Sequence, residues 1–420
     1  MTHKNHRKRI CALLLAAVMF LGGFCALIDT KQGKGPQYLG KYSSDPTAQA
    51  IQAKLYEGLL LGQSAIDISS TPVPVTEFSK IYVDLRYSTP SLYMVEARYS
   101  YSYKTINNVR YVTKVYPSYN MTQDEIAKAQ LIWADKIQSI AGSRNPYWNA
   151  AQTALYLHDY LALNAHYDKS YTYYDAYTLF TKGTGVCMAY TLAYDALLEA
   201  VGIHNDYTDS DEMNHIWNRV YIGGSPYNVD VTWDDPSLDR LGQVQHRHFL
   251  VSDSVLDDNH QYTWDEGYGQ CSSTHFDDWF WRDVNTAFIP VGDDFYFIYK
   301  GSFYKWTADN RLVKCVSLSS KWYADSKKRS YWYSVNTDGS KNLNFSVLWP
   351  AGDKILYNAT SSIKTFDPKT NKLETVYKYT GSGNICGFSY DGSTLTLQVG
   401  YNPWKPQECE IITIPDFYVS

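Results

Sequence analysis

The chain has 420 residues, with 38 Lys and Arg against 43 Asp and Glu, for a formal net charge of −5. That length holds about two or three domains of roughly 150 residues. A hydrophobic fraction of 45% excludes a disordered or acidic-tail protein. Mild acidity without a basic block argues against a nucleic-acid partner, because phosphate binding needs clustered Lys and Arg. The 39 tyrosines suit strands and half-buried surfaces, so much of the chain should be sheet.

The first nine residues include Lys4, Arg7, Lys8 and Arg9, and Ile10 to Ile28 is an uncharged apolar run. A cationic start before such a core predicts an export signal or N-terminal membrane anchor over residues 1–30, and hence an extracellular or cell-surface location. Gly23-Phe24-Cys25 is a tolerable cleavage site, while Phe24 spoils a lipoprotein reading, so cleaved and anchored forms both stand. No later segment is apolar enough to cross a membrane. Of the seven cysteines, five lie beyond this leader: Cys187, Cys271, Cys315, Cys386 and Cys409. An odd number in an exported chain points to a free reactive thiol or an intermolecular bond. With Cys187 set aside, the other four can pair in three ways, or not at all.

Residues 31–46 read as a linker, within an N-terminal α+β region over 31–120. A helix is expected from Asp45 to Leu61, and strands at Ile81 to Leu85, Leu92 to Tyr103 and Val109 to Tyr116. Thr122-x-x-Glu125 is a capping box that opens a helix with Ile126, Trp133, Ile137 and Ile140 on one face. A catalytic core is expected over 121–288. In it, a second helix runs from about Trp148 to Leu163, and Gly183-Thr-Gly185-Val-Cys187 turns into a third, from Met188 to Val201. The runs His215 to Ile222 and Tyr227 to Trp233, joined by Gly223-Gly224-Ser225-Pro226, signal a hairpin. Beyond Pro290 only short Tyr/Phe/Val runs with polar turns follow. Within this all-β region, 289–420, Phe297 to Leu312 is echoed by Ile355 to Leu373, a pattern also found in propeller blades; a small sheet or sandwich is the simpler expectation.

Three residues carry the chemistry. Cys187 follows a Gly-rich turn and opens a predicted helix, where free amides favour a thiolate. A buried structural cysteine is the bland alternative. With a two-residue turn at Gly223-Gly224 and strands running through to Trp233, His215 lies diagonal to Asp230 on the same face. A carboxylate there would fix the imidazole tautomer, and the imidazole would deprotonate Cys187.

The segments Gly183-x-Gly185-Val-Cys187-Met-Ala-Tyr190, His215-Ile-Trp217-Asn218-Arg-Val220 and Tyr227-Asn-Val-Asp230-Val-Thr-Trp233-Asp-Asp-Pro236 together resemble the transglutaminase-like superfamily, closest to its secreted bacterial members. The resemblance covers roughly 120–265. It reaches upstream through His158-Asp159-Tyr160 and Tyr167, and downstream through His248-Phe249-Leu250 and Trp264. It implies an α+β, papain-like core, in which a helix bearing the cysteine packs on an antiparallel sheet, with a Cys187–His215–Asp230 triad. Ile216 stands where the family often has Ala. The Cys187 amide would supply one oxyanion donor, Tyr167 is the candidate for the second, and Trp217 and Trp233 are expected in the core and lining the site. The acidic loop Asp209 to Asn214 could favour a cationic acceptor, or simply be solvated.

Two other constellations were weighed. His246-x-His248 with His260 could suggest zinc, but no carboxylate or cysteine in the pattern completes the set, and packing or surface histidines are expected. Asp234-Asp235-Pro236 reads as a turn. The expected activity is that of a cysteine enzyme cleaving or transferring amide bonds of proteins or peptides, wall peptides or surface proteins among them. It would act as a transglutaminase-like acyltransferase or as a peptidase or amidase, with no metal or organic cofactor. The alternative is a non-catalytic binding or adhesion protein that retains the fold, with the tail engaging protein or polysaccharide.

Overall fold

The computed structural model describes residues 45–210, 212–235, 240–256, 260, 270–318, 321–324, 330–335, 341–344, 346–402 and 405–419. The predicted export segment, most of the linker and Trp264 lie outside the described residues. Among the described residues, no helix is long and apolar enough to cross a membrane. The chain forms two compact units. The first takes residues up to 143 and 171–218; the second takes 144–170, 219–261 and 270–420.

In chain order, α1 (Pro46–Leu60) starts behind Asp45, whose carboxylate accepts from the Thr47 amide at 2.8 Å. The short strands β1 (Ile66–Asp67) and β2 (Val73–Pro74) lead into α2 (Val75–Tyr87). The expected strand at Ile81 to Leu85 is therefore a helix. Phe78, Ile81, Tyr82 and Leu85 are its buried face, spaced three and four apart, and that period prevails over the strand propensity of the short Ile-Tyr-Val run. The long hairpin β3 (Val95–Ile106) and β4 (Val109–Tyr119) turns through Asn107 and Asn108, both at positive φ, and β1 and β2 pair with β4. Helix α3 (Gln123–Gly142) opens with the predicted capping box and buries Ile126, Trp133, Ile137 and Ile140.

Next come α4 (Ala150–Asn164), capped by a second box of Asn149 and Gln152, and β5 (His166–Tyr167). They are followed by α5 (Ala176–Lys182), β6 (Thr184–Gly185), α6 (Cys187–Ala200) and β7 (Asn205–Ser210). Then β8 (His215–Ile222) and β9 (Ser225–Val229) form the predicted hairpin, whose turn residues Gly223 and Gly224 have φ of 61° and 85°, positions that suit glycine. The second strand ends four residues earlier than expected. Asp230 caps a helical turn, α7 (Val231–Asp234), accepting from the Trp233 amide at 3.1 Å. The strand parity that placed His215 diagonal to Asp230 therefore does not extend past Val229. Strand β10 (Phe249–Val251) pairs with β9 through a bulge at the buried Leu250, φ 52°, and α8 (Asp253–Leu256) follows. The sheet order is β10-β9-β8-β7. In the first unit α6 packs against α3 and β7, giving the expected helix on a sheet.

The rest is a series of antiparallel meanders: β11–β14 (Ile289–Val291, Asp294–Tyr299, Ser302–Trp306, Leu312–Ser317), β15–β17 (Lys321–Ala324, Ser330–Val335, Lys341–Asn344), β18–β21 (Leu348–Ala351, Lys354–Asn358, Ser362–Asp367, Lys372–Lys378) and β22–β24 (Asn384–Tyr390, Leu395–Gly400, Glu410–Ile414). The sequence echo is structural. Gly292 and Gly352 turn at φ 63° and 65°, Asn310 and Asn371 at 65° and 58°, and each repeat carries a bulge in its fourth strand. The last two sheets share a core of Val347, Leu356, Ile363, Ile385, Phe388, Leu395 and Leu397. Each fully buried aliphatic side chain contributes roughly 1.5–3 kcal/mol.

Candidate active site

Cys187 is the first residue of α6. Two backbone features set it there. Gly183, at φ 68°, ends α5 in the left-handed conformation, and the Val186 amide donates to the Tyr173 carbonyl at 2.9 Å. Gly185 has no room for a side chain: a Cβ would lie 2.5 Å from the Ala189 Cβ and 3.0 Å from Leu179 Cδ1. The turn before the cysteine must therefore be glycine, because it passes directly over the first turn of α6. The Cys187 sulfur is free and half-buried. No side chain caps this helix start, and an amide in the first turn has no intrahelical acceptor, so the Cys187 N–H is not used by its own helix.

His215 opens β8, in the same unit. Its strand is bracketed to the cysteine helix by two hydrogen bonds. Thr191 Oγ1, one turn beyond Cys187, donates to the Ile216 carbonyl at 3.1 Å, and Asn218 Nδ2 donates to the Thr191 carbonyl at 3.0 Å. A helical turn rises about 5.4 Å, so Cys187 and His215 stand at adjoining ends of two elements bonded to each other. Trp217 is buried on β8, and its ring stacks on that of His215 with centroids 5.7 Å apart.

Asp230 lies in the second unit and is 1% exposed. Its Oδ1 caps α7, its amide donates to the His248 carbonyl at 3.0 Å, and its Oδ2 accepts from His260 Nε2 at 2.9 Å. A buried carboxylate held on both oxygens has one orientation. Trp233 is half-exposed, with its ring 4.2 Å from that of His260. Tyr167 sits half-buried on β5, just after α4.

The histidines expected to be packing or surface residues are instead part of a buried ionic network in the second unit, and carboxylates do complete it. His158 Nδ1 faces Asp159 Oδ1 at 2.9 Å and its Nε2 faces Asp234 Oδ2 at 3.3 Å. Ionised carboxylates only accept, so the ring satisfies both as an imidazolium. Burial opposes that charge, but the hydrogen bonds to Asp159 and Asp234 outweigh it and lift the His158 pKa to about 9. Asp159 also meets His246 Nε2 at 2.9 Å and the Phe288 amide at 2.7 Å, while His246 Nδ1 faces the Val284 carbonyl at 3.1 Å. Asp234 binds His248 Nδ1 at 3.0 Å and the Arg247 amide at 2.9 Å. Burial raises both carboxyls, yet the facing histidines hold them below the usual carboxylate range. Asp234 is therefore a buried hub, more than the turn residue its Asp-Asp-Pro context suggested. His158, Asp159 and His246 bring ligand-type atoms within 4.8 Å of one another. Their ring nitrogens are already committed to carboxylate and carbonyl oxygens, which accounts for the cluster as an ion-pair network.

Residues 134–233 match the family model described as the transglutaminase-like superfamily. Cys187, His215 and Asp230 all fall within that span. Among solved structures, the chain is similar to a candidate cysteine protease from Cytophaga hutchinsonii (18% identity, 33% of this chain and 63% of that one, TM-score 0.21). It is also similar to a TGase (12%, 40% and 47%, 0.23) and to a candidate protease from Parabacteroides distasonis (11%, 31% and 35%, 0.19). The match thus spans between about a third and just under two thirds of those chains. No curated protein matches the chain.

Proposed function

We propose that the chain is an exported cysteine enzyme that acts on amide bonds of proteins or peptides through a thioester, with Cys187 as nucleophile, His215 as general base and acid, and Asp230 as the group that orients the imidazole. The observation that carries this reading is the bracket through Thr191 and Asn218, which ties the helix start bearing Cys187 to the strand start bearing His215. Cys187 gives its proton to His215 and attacks the carbonyl carbon. The Cys187 N–H, with Tyr167 as the second candidate donor, binds the oxyanion as negative charge develops. His215 then protonates the departing amine, leaving a thioester on Cys187. Either water or an amine, deprotonated by the same imidazole, releases the acyl group, giving hydrolysis or transamidation. Half-exposed Trp233 is a site-lining aromatic in this reading. Wall peptides and surface proteins are the substrates that fit an exported enzyme of this kind, and the β-meanders beyond residue 289 supply a surface for protein or polysaccharide.

The test is trapping of the acyl-enzyme. Wild-type protein mixed with amide-bearing peptides and quenched in acid should carry a peptide acyl group on Cys187, and an added primary amine should compete with water for that thioester and divert part of the product from acid to amide. Cys187→Ala should show neither. Surface binding that persists in Cys187→Ala, with no adduct in the wild type, would contradict the proposal and point to a binding protein that retains the fold.

A further inference from the structure

Cys386 and Cys409 are 23 positions apart and end up on either side of one glycine. Strand β22 carries a bulge between Ile385, opposite Val399, and Gly387, opposite Gln398, which leaves Cys386 as the extra residue. Its sulfur turns toward the end of β23 and lies 3.5 Å from the Gly400 carbonyl oxygen. On the other edge of β23, Val399 pairs with Glu410, which brings the preceding Cys409 over Gly400. A Cβ on Gly400 would stand 2.6 Å from the Cys409 sulfur and 3.4 Å from its Cα. Both sulfurs thus lie beside Gly400, whose missing side chain leaves the space for them to approach, and each bears on the ionisation of the other.

We propose that Cys386 and Cys409 are a disulfide-forming pair that clips the connection between β23 and β24 onto β22. Of the three pairings that four cysteines allow, this geometry selects the one that joins Cys386 to Cys409. The pair can act as a dithiol toward a small disulfide such as oxidised glutathione. Cys409, the less buried of the two, loses its proton and attacks one glutathione sulfur, expelling a glutathione thiolate. Cys386 then loses its proton and attacks the Cys409 sulfur, expelling the second glutathione. The protein dithiol gives up two electrons and two protons, and one glutathione disulfide becomes two thiols. Burial pushes the Cys386 thiol up to about 12 and raises that of Cys409, and the less buried Cys409 is the thiol that meets glutathione first. The step closes the sulfurs to about 2.0 Å.

The full-length chain is incubated with oxidised glutathione at pH 8, quenched in acid, denatured, alkylated and mapped without reductant. The expected product is a peptide linking Cys386 to Cys409, with no link from either to Cys187. In Cys409→Ser that peptide is missing and Cys386 is alkylated. Oxidised wild type should also resist urea better than reduced wild type, a difference that Cys386→Ala loses. Recovery of both residues as alkylated thiols from the oxidised wild type, or a link from either one to Cys271 or Cys315, would overturn the proposal. The outcome does not depend on Cys187 chemistry, so it stands or falls separately from the proposed activity.

Discussion

His158 has a carboxylate at each ring nitrogen, and its protonation is the condition for keeping Asp159 and Asp234 buried. Because its folded pKa lies near 9 against 6.5 when unperturbed, the imidazolium stabilises the fold fully below about pH 6.5. That stabilisation is lost as pH rises through about 9. The full effect is about 3 kcal/mol, at 1.36 kcal/mol per unit. Asp159 and Asp234 run the other way: their depressed pKa values stabilise the fold above about pH 4, and this is lost on acidification through their folded values. Urea unfolding should therefore show a stability plateau near pH 5–6.5 and a decline toward pH 9. His158→Ala should cost about 3–5 kcal/mol at pH 6, because two buried carboxylates lose their shared partner. An unchanged midpoint across that pH range would contradict the charge assignment. Asp195 is the opposite kind of residue. It is 2% exposed on α6, and burial first, then the charge of Glu199, pushes its carboxyl well above the usual range. A raised carboxyl pKa favours the fold at low pH, and that stabilisation is lost as pH rises. Asp195→Asn should therefore raise stability at pH 7 by roughly 1–3 kcal/mol and change little at pH 4.

The elements around the nucleophile depend on a few backbone decisions. Gly185→Ala places a methyl 2.5 Å from the Ala189 Cβ, so the turn must move and carry Cys187 with it. Overpacking of this kind costs about 1–3 kcal/mol. The expected readout is a loss of Cys187 acylation out of proportion to the shift in the urea midpoint. Thr191→Val removes the donor to the Ile216 carbonyl; turnover should fall at roughly constant KM, because the bracket positions the base rather than the substrate. The helices at 123 and 187, and the glycine turn of the hairpin, were legible because their signals are local: a capping box, a stripe of apolar residues, two adjacent glycines. Two elements were misread for one reason. Ile81-Tyr-Val and Val231-Thr-Trp have strand propensity, but Phe78 and Leu85 set a helical period around the first and the cap by Asp230 turns the second into a helix. The His–Asp network was legible only as the separate fragments His158-Asp159 and His248, because the links from His158 to Asp234 and from Asp159 to His246 span 76 and 87 positions and only the fold makes them.

At the scale of the whole chain, the second unit draws on three separate stretches, and the C-terminal meanders hold one of its helices. Trp148 Nε1 donates to the Asp293 carbonyl at 2.8 Å, Gln152 Nε2 donates to the Thr307 carbonyl at 2.9 Å, and the Trp148 ring lies 4.3 Å from that of Phe295. A chain ended at residue 288 leaves the buried Gln152 without that acceptor and uncovers Trp148. The truncated protein should unfold at lower urea than the full chain and bind hydrophobic dye, and a truncation with the wild-type midpoint would show that these contacts contribute nothing. The repeat within the meanders was legible from spaced aromatics and turn residues, whereas the number of sheets was not, since residues such as Gly292 and Gly352 mark turns without saying which strands pair.

If Cys187 and His215 form an activated pair, the pH dependence of Cys187 alkylation, mapped by mass in wild type and in His215→Ala, reads it out. An unassisted thiol titrates near ~8.5. Alkylation of Cys187 should already be fast well below that pH and be lost in His215→Ala. A Cys187 that reacts like free cysteine in both proteins, or stays unreactive in both, would overturn the pair.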